Sequence, residues 1–261
     1  MLEIVKLDDL DIQIFWDYVM QDIPGYFFFI LDQKQYPEDS QFLIAIDDEK
    51  IVGICLIWKN TVVHIRGENE EIMKALHDAL PKDPPVTQIS FPKNYKELLH
   101  RLYPDAKYKL SLHRMLLKKE HMIPRYKLDK PFTQRSLTKE DAEDIAKLCA
   151  EADPVYWGNA KAENYVFNEN HIYTGLLDGD RLISFMYAWV DEEAAIIANA
   201  ATHPEYQNQG LATYLVNEGI HKMMEYTEIA IIHVLTDNAP AIKVYSKVGY
   251  EVYTTYEMVG I

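Results

Sequence analysis

Two stretches of the chain share one arrangement of apolar runs around a short acidic turn. FLIAIDDEKIVGICLIW, Phe42 to Trp58, lies without a gap on YTGLLDGDRLISFMYAW, Tyr173 to Trp189, at an offset of 131 residues. Each reads as strand, tight turn, strand, with Asp47-Asp48-Glu49-Lys50 in one and Asp178-Gly179-Asp180-Arg181 in the other, so both predict β-hairpins. Ile65 then falls on Ile196, and both copies pass into helical periodicity, Glu71 to Leu80 and Leu211 to Met224. Farther on, Met115 matches Met258 at offset 143, so the second copy has gained 12 residues around Asn199 to Gly210 and the helix beyond it. Unrelated hairpins share such patterns too. A match repeated half a chain apart reads as a duplicated module with a loop added to one copy.

The joint is marked by composition. After an apolar strand around Arg114 to Lys118 comes the polar, proline-punctuated HMIPRYKLDKP. Thr138-x-x-Asp141, a capping box with Asp in place of Glu, then precedes an amphipathic helix. This places one domain at residues 1–125 and a second at 126–261. A length of 261 residues suits two domains, and 48% apolar with 26% charged residues is an ordinary globular balance. The longest apolar runs, Tyr26 to Leu31 and Ile51 to Trp58, fall far short of the roughly 20 residues a membrane helix needs.

Charge narrows the partners. Forty-one acids against 26 bases give a net charge of −15, which disfavours tracking a phosphate backbone, so no nucleic acid is expected. Residues 126–261 carry 10 bases and 21 acids, against 16 and 20 in residues 1–125. The N-terminus MLEIVKLDDLD has acids where a secretory signal has bases, which points to the cytoplasm. Cys55 and Cys149 sit in apolar segments like small buried hydrophobes, and His64, His171 and His233 show no ligand spacing, so neither a disulfide nor a metal is expected.

The added loop carries the most informative chemistry. An apolar strand from Ala194 to Asn199 runs through Thr202 into HPEYQNQG, and a helical pattern begins just after Gly210. Strand, glycine-bearing turn and helix start present unpaired amides and the positive helix end to an anion. Gly210 accepts a positive φ, Ala212 is small, and Gln207 and Gln209 offer neutral donors. No Lys or Arg lies between Arg181 and Lys222, so a polyanion here is expected to rest on dipoles, without matching cations. The alternative is an ordinary helix-start loop.

A second motif comes one strand later. Gln207-x-x-Gly210-x-Ala212 and Asn238-x-x-Ala241-x-x-x-Tyr245-x-x-x-Gly249-Tyr250, separated by a helix and the strand EIAIIHVL, together resemble the GNAT superfamily of acyl-CoA N-acyltransferases over about residues 131 to 261. VYWGNAKAENYVFNENHIYTGLLDGDRLISF followed by ATHPEYQNQGLATYLV is similar to the two-domain branch that includes glycine N-acyltransferase-like enzymes. The resemblance implies a mixed α/β fold of tandem GNAT-like modules, the first degenerate, with acetyl-CoA or another acyl-CoA as co-substrate. It implies transfer to an amine of a small molecule or peptide by direct attack. A non-catalytic acyl-CoA-binding module is the alternative.

By that resemblance, pantetheine pairs with backbone at Ala200 and Thr202, and the diphosphate rests on Gln207, Asn208, Gln209, Gly210, Leu211, Ala212 and Thr213. Asn238 touches pantetheine or simply caps its helix. Tyr245 protonates the departing thiolate, a phenol and a thiol being close in pKa, or else packs in the core. The position of the usual basic glutamate is Ile196. Glu192, Glu193, His203, Tyr187 or a water chain could replace it, and the base stays unassigned. Tyr156, Trp157, Tyr250, Tyr253 and Tyr256 are candidates for an acceptor wall, or for core packing. The acidic surface hints at a cationic acceptor.

Overall fold

One order of elements, β-α-α-β-β-β-α-β-α-β, occurs twice along the chain. The first pass is β1 (Glu3–Lys6), α1 (Ile12–Val19), α2 (Ile23–Gln35), β2 (Ser40–Asp47), β3 (Lys50–Trp58), β4 (Val62–Gly67), α3 (Glu70–Asp78), β5 (Gln88–Pro92), α4 (Lys96–Leu102) and β6 (Tyr108–Lys118). The second is β7 (Thr133–Ser136), α5 (Ala142–Ala152), α6 (Pro154–Trp157), β8 (His171–Asp178), β9 (Arg181–Val190), β10 (Ala195–Thr202), α7 (Leu211–Met223), β11 (Ile229–Leu235), α8 (Ala239–Lys247) and β12 (Glu251–Gly260). The computed structural model describes residues 1–83 and 85–261, with all their side chains except those of Val155 and Tyr156, so the acceptor-wall role expected of the Tyr156 ring lies outside the described residues.

The two predicted hairpins are β2–β3 and β8–β9, and they match in detail. Phe42 pairs with Leu56 in one, as Tyr173 pairs with Tyr187 in the other. Each register is interrupted at one place, between Ala45 and Ile46 in the first and between Leu176 and Leu177 in the second, positions that coincide at the offset read from sequence. The capping box is also present: the Asp141 carboxylate accepts the Thr138 amide at 2.8 Å ahead of α5.

The chain divides into two compact units, Met1–Arg114 with Tyr253–Ile261, and Met115–Val252. This differs from a division at residue 125, and packing explains why. Met115 and Leu117 of β6 are buried in the second unit's core, and Met122, Ile123, Leu128 and Phe132 pack against the same cluster, so the proline-punctuated passage clothes that core instead of linking domains. The end of β12 returns to the first unit, pairing with β5 from Tyr256↔Pro92 to Gly260↔Gln88 and burying Val259.

Within the first unit the strand order is β1-β2-β3-β4-β5, then the end of β12 and the Tyr108–Arg114 part of β6. Period-two alternation along β2 and β3 sends Ala45, Cys55 and Ile57 to α3 and Phe42, Ile44, Ile54 and Leu56 to α1 and α2. Within the second unit the order is the end of β6, then β11-β10-β9-β8-β7. Its two faces divide likewise: Leu211, Leu215 and Ile220 of α7 pack with Met186, Ala195 and Ile197, while Ile145, Leu148 and Cys149 of α5 pack with Tyr173, Phe185 and Tyr187. Each unit is a mixed sheet between helices, because the fourth strand of each module runs antiparallel to the third and parallel to the fifth.

Candidate functional site

β10 has two different edges. Toward β9 it pairs along its whole length, from Ala195↔Val190 to Thr202↔Ser184. Toward β11 it pairs only at Ala195, Ile196 and Ile197, and there the parallel ladder stops. A register shift between Ile197 and Asn199 marks the divergence, with Ala198 bulged out and exposed. The strand thus continues through Ala200, Ala201 and Thr202 with one side of its backbone unpaired by β11. A strand edge left open in this way is of the kind to which an extended ligand can add.

The strand leads into the loop His203 to Gly210, which ends in two left-handed residues, Asn208 at φ 59° and Gly210 at φ 79°. Gly210 is the N-cap of α7 and supplies no side-chain cap. A Cβ built on it meets nothing within 4 Å, so glycine is required here by the sign of φ, and the space beside it is open. The amides of residues 208–213 donate to no protein acceptor among the described residues; the next amide, of Tyr214, bonds Gly210 O at 3.0 Å. Consecutive N–H groups around left-handed residues at a helix start form a concave anion receptor.

Side chains hold this loop in place. Gln207 Nε2 donates to Thr202 O at 3.1 Å, and the Ser184 and Thr202 hydroxyls lie 2.8 Å apart. Tyr206 OH donates to Asp178 at 2.7 Å. His203 Nδ1 accepts the Glu205 amide at 3.2 Å, while its Nε2 faces Arg181 at 2.6 Å and Glu151 at 3.3 Å. Both ring nitrogens are thus engaged in the loop's own structure.

A cavity of about 800 Å³ joins the open strand edge to the loop. Of the residues expected to contact a cofactor, Ala200, Thr202, Gln207, Asn208, Gly210, Leu211, Ala212, Thr213 and Asn238 line it. Gln209 does not: its amide group reaches Glu205 O at 3.4 Å and accepts from Lys130 at 3.4 Å. Asn238 does two things at once, capping α8 by accepting the Ala241 amide at 3.1 Å while facing the cavity.

Three expectations change. The cavity does have cations, Lys243 and Lys247, which come from α8 instead of the loop; a search of the sequence beside the loop misses them because packing brings them in. Tyr245 is off the cavity wall, 9% exposed in the core, with its ring 6.1 Å from that of Tyr250. Burial pushes its phenol up to about 12, well away from a thiol at ~8.5. Of the candidate aromatic wall, Trp157 lines the cavity, but Tyr250 is buried in the second unit's core. Tyr253 and Tyr256 belong to the first unit, bonding Asp22 and, at 3.2 Å, Gly25 O.

None of the four side chains considered as bases lines the cavity. Tyr187 stacks on Tyr173 with centroids 4.2 Å apart, and Glu192 and Glu193 lie at the β9–β10 turn, where their carboxylates and that of Asp191 approach within 4.8 Å. Asp153, where α5 ends, is the one carboxylate lining the cavity among the described residues. Ile196, 5% exposed, is paired in register with Trp189 of β9. Beyond the bulge the next polar side chain is Asn199, 9% exposed, whose Nδ2 donates to Cys149 Sγ at 3.5 Å; Tyr165 OH donates to the same sulfur at 3.2 Å. Burial pushes the Cys149 thiol up, so it remains a neutral partner for both. The bulge puts Asn199 on this face, and no alternation rule applied to the sequence alone finds it.

Comparison with known proteins bears on the fold. Residues 136–250 match the model of the acetyltransferase (GNAT) family. The second unit has the GNAT fold. Over the whole chain, a Drosophila protein superposes with a TM-score of 0.66 at 12% identity, covering 94% of this chain and 90% of its own. A tandem GNAT protein from the clavulanic acid biosynthesis pathway gives 0.64 at 13%, covering 100% and 98%. A GNAT-family acetyltransferase from Colwellia psychrerythraea gives 0.55 at 10%, covering 99% of each chain. At these identities the similarity is one of fold, and it extends to a tandem arrangement. No curated protein matches the sequence. Among the described residues no helix is long and apolar enough to cross a membrane.

Proposed function

We propose that the second unit binds acetyl-CoA or another acyl-CoA and transfers the acyl group to an amine of a small molecule or peptide. In this reading the protein is a two-domain GNAT-type N-acyltransferase akin to the glycine N-acyltransferase-like enzymes. One observation carries the proposal: a vacant strand edge and a run of unpaired amides, residues 208–213, open into one cavity. An acyl-CoA offers both complements, an amide-bearing arm for the edge and a diphosphate for the amides.

The reaction needs no covalent enzyme intermediate. The amine lone pair attacks the thioester carbonyl, a C–N bond forms as the C–S bond breaks, and the nitrogen's proton and the thiolate leave, giving amide and thiol. An N–H of the Ala200 region would donate to the carbonyl oxygen as its charge grows. The resemblance gives Tyr245 the role of donor to the departing sulfur; since the residue lies behind the cavity wall, we keep that role on the condition that its hydroxyl reaches the cavity when the acyl-CoA is seated. With its phenol near 12, complete proton transfer to a thiolate is uphill, and stabilisation of the developing charge is the contribution left to it.

A second reading, an acyl-CoA-binding module without turnover, is favoured by Ile196 at the usual base position and by the burial of Tyr245. Calorimetric titration with acetyl-CoA, followed by thiol release with a panel of amines, separates the two. Binding with amine-dependent thiol release supports the transferase. Binding without release from any amine supports the module, and no binding overturns both.

A further inference from the structure

The amides of residues 208–213 account for one anionic group of an acyl-CoA, yet the molecule has phosphate at two places: the diphosphate bridge and the ribose 3′ position. Amide dipoles contribute no net charge, and the surrounding sequence is acidic, with 10 bases to 21 acids over residues 126–261. A second phosphate therefore needs true cations within reach of the first.

The cavity wall supplies two. Lys243 and Lys247 stand one turn apart on α8, and with Pro240 and Val244 they form the helical stripe that faces the cavity. They are the two cationic residues of that wall among the described residues, both are exposed, and neither forms an ion pair with a described carboxylate. Their helix is anchored at its start by Asn238, whose side chain is on the same wall, so the stripe and the loop amides face one volume. Lysine suits a terminal phosphate, which it meets as a point charge without fixed geometry.

We propose that Lys243 and Lys247 bind the 3′-phosphate of the acyl-CoA and so select it over 3′-dephospho-CoA. This inference rests on the acyl-CoA reading of the site.

The test is a cycle of two changes, one in the protein and one in the ligand. Affinities of CoA and 3′-dephospho-CoA are measured by calorimetry on the wild type and on the Lys243→Gln/Lys247→Gln variant, at low and at physiological salt. The expected result is that the variant loses about tenfold for CoA, a loss of the size expected for two partly exposed charge pairs. Dephospho-CoA should bind both proteins alike, and the salt dependence of CoA binding should fall in the variant. Unchanged CoA affinity overturns the assignment. An equal loss for both ligands also overturns it, by assigning the lysines to the diphosphate or to a general field. A wild type that binds neither ligand overturns the acyl-CoA reading itself, and this inference with it. Thermal unfolding of the variant, expected to match the wild type because both side chains are exposed, shows that the fold is kept.

Discussion

The two strand-to-helix turns after β4 and β10 begin alike and end differently. In each unit the fourth strand makes three parallel pairs with the fifth, Val62 to His64 in the first and Ala195 to Ile197 in the second, and then the ladder stops. Two residues, Glu68 and Asn69, connect strand to helix in the first unit, against the loop His203 to Gly210 in the second. Asn69 closes the start of α3 by accepting the Ile72 amide at 3.0 Å, and Glu70 and Glu71 fill its first turn with negative charge. Gly210 caps α7 with nothing, and Leu211 and Ala212 leave that first turn neutral. The parallel ladder stops early in both units, whereas among the described residues only the second turn has left-handed residues and unpaired amides of the kind an anion receptor needs. The divergence is a property of the sheet, and the receptor is a property of a few residues in the turn.

The first unit also occupies the space beside its diverging strand. Tyr95 OH donates to Gly67 O at 3.2 Å, and the Arg66 guanidinium lies 4.3 Å over the Tyr26 ring. Arg114, 3% exposed, donates to Pro24 O and Gly25 O at 2.5 and 2.6 Å. Filled with side chains and closed by its cap, the first turn is expected to take no phosphate.

The strongest way to break this contrast is to write the first turn into the second. Glu71 is the second residue of α3, and Ala212 is the second residue of α7. Ala212→Glu places a carboxylate where the diphosphate would sit, and acetyl-CoA affinity should fall at least about a hundredfold, roughly 3 kcal/mol of repulsion and lost contact. An acid in a first helical turn favours the helix, so the melting temperature should hold or rise slightly. Calorimetry paired with thermal unfolding checks both. Full affinity in a folded variant would mean the amides of residues 208–213 do not receive the phosphate.

Gly210→Val tests the same turn through backbone geometry. A branched residue at φ 79° is strained by about 1–2 kcal/mol, and its side chain enters the open space beside the amides. Affinity should drop by about tenfold to a hundredfold, with a modest loss of stability. The control is Gly179→Val at φ 58° on the β8–β9 turn, where a Cβ also meets nothing within 4 Å. It should cost stability alone.

Tyr245→Phe reads out chemistry instead of binding. Losing one hydrogen bond to a developing charge should reduce kcat about tenfold while the dissociation constant for acetyl-CoA stays put. The pH profile has a definite sign. An alkylammonium acceptor must deprotonate to attack, so the rate rises with pH toward ~10.4, and a phenol near 12 adds no falling limb across the same range. A falling limb near pH 10, lost in the Phe variant, would show a phenol at its ordinary value. Equal losses in rate and affinity would make Tyr245 a packing residue.

These outcomes bear on what the sequence made legible. The hairpins, the repeat and the glycine-bearing loop are written locally: alternation, turn residues and a glycine before a helical pattern carry them. What was illegible depends on distance. Lys243 and Lys247 reach the cavity because α8 packs beside the loop, and Tyr245, at the same spacing as its motif requires, turns into the core beside Tyr250. Asn199 depends on the Ala198 bulge, which reverses the alternation after Ile197 so that Asn199 falls on the α5 face. The unit boundary depends on where Met115, Leu117 and Val259 are buried, and polar linker composition says nothing of that.

The smallest expected effect comes from opening the closed turn. Asn69→Ala removes the side-chain acceptor from the Ile72 amide and should cost about 1 kcal/mol of stability, a shift of a few degrees in melting temperature. It should leave acetyl-CoA binding untouched, because Glu70 and Glu71 still repel an anion and only two residues separate β4 from α3. Asn69→Ala combined with Glu70→Gln and Glu71→Gln then asks whether the cap and the acids alone silence the turn. The expectation is that the stoichiometry of acetyl-CoA stays at one per chain, since without a left-handed pair such as Asn208 and Gly210 the amides do not converge on a common point. A second equivalent bound by the triple variant would show that the contrast between the turns is one of charge, with loop length and handedness secondary to it.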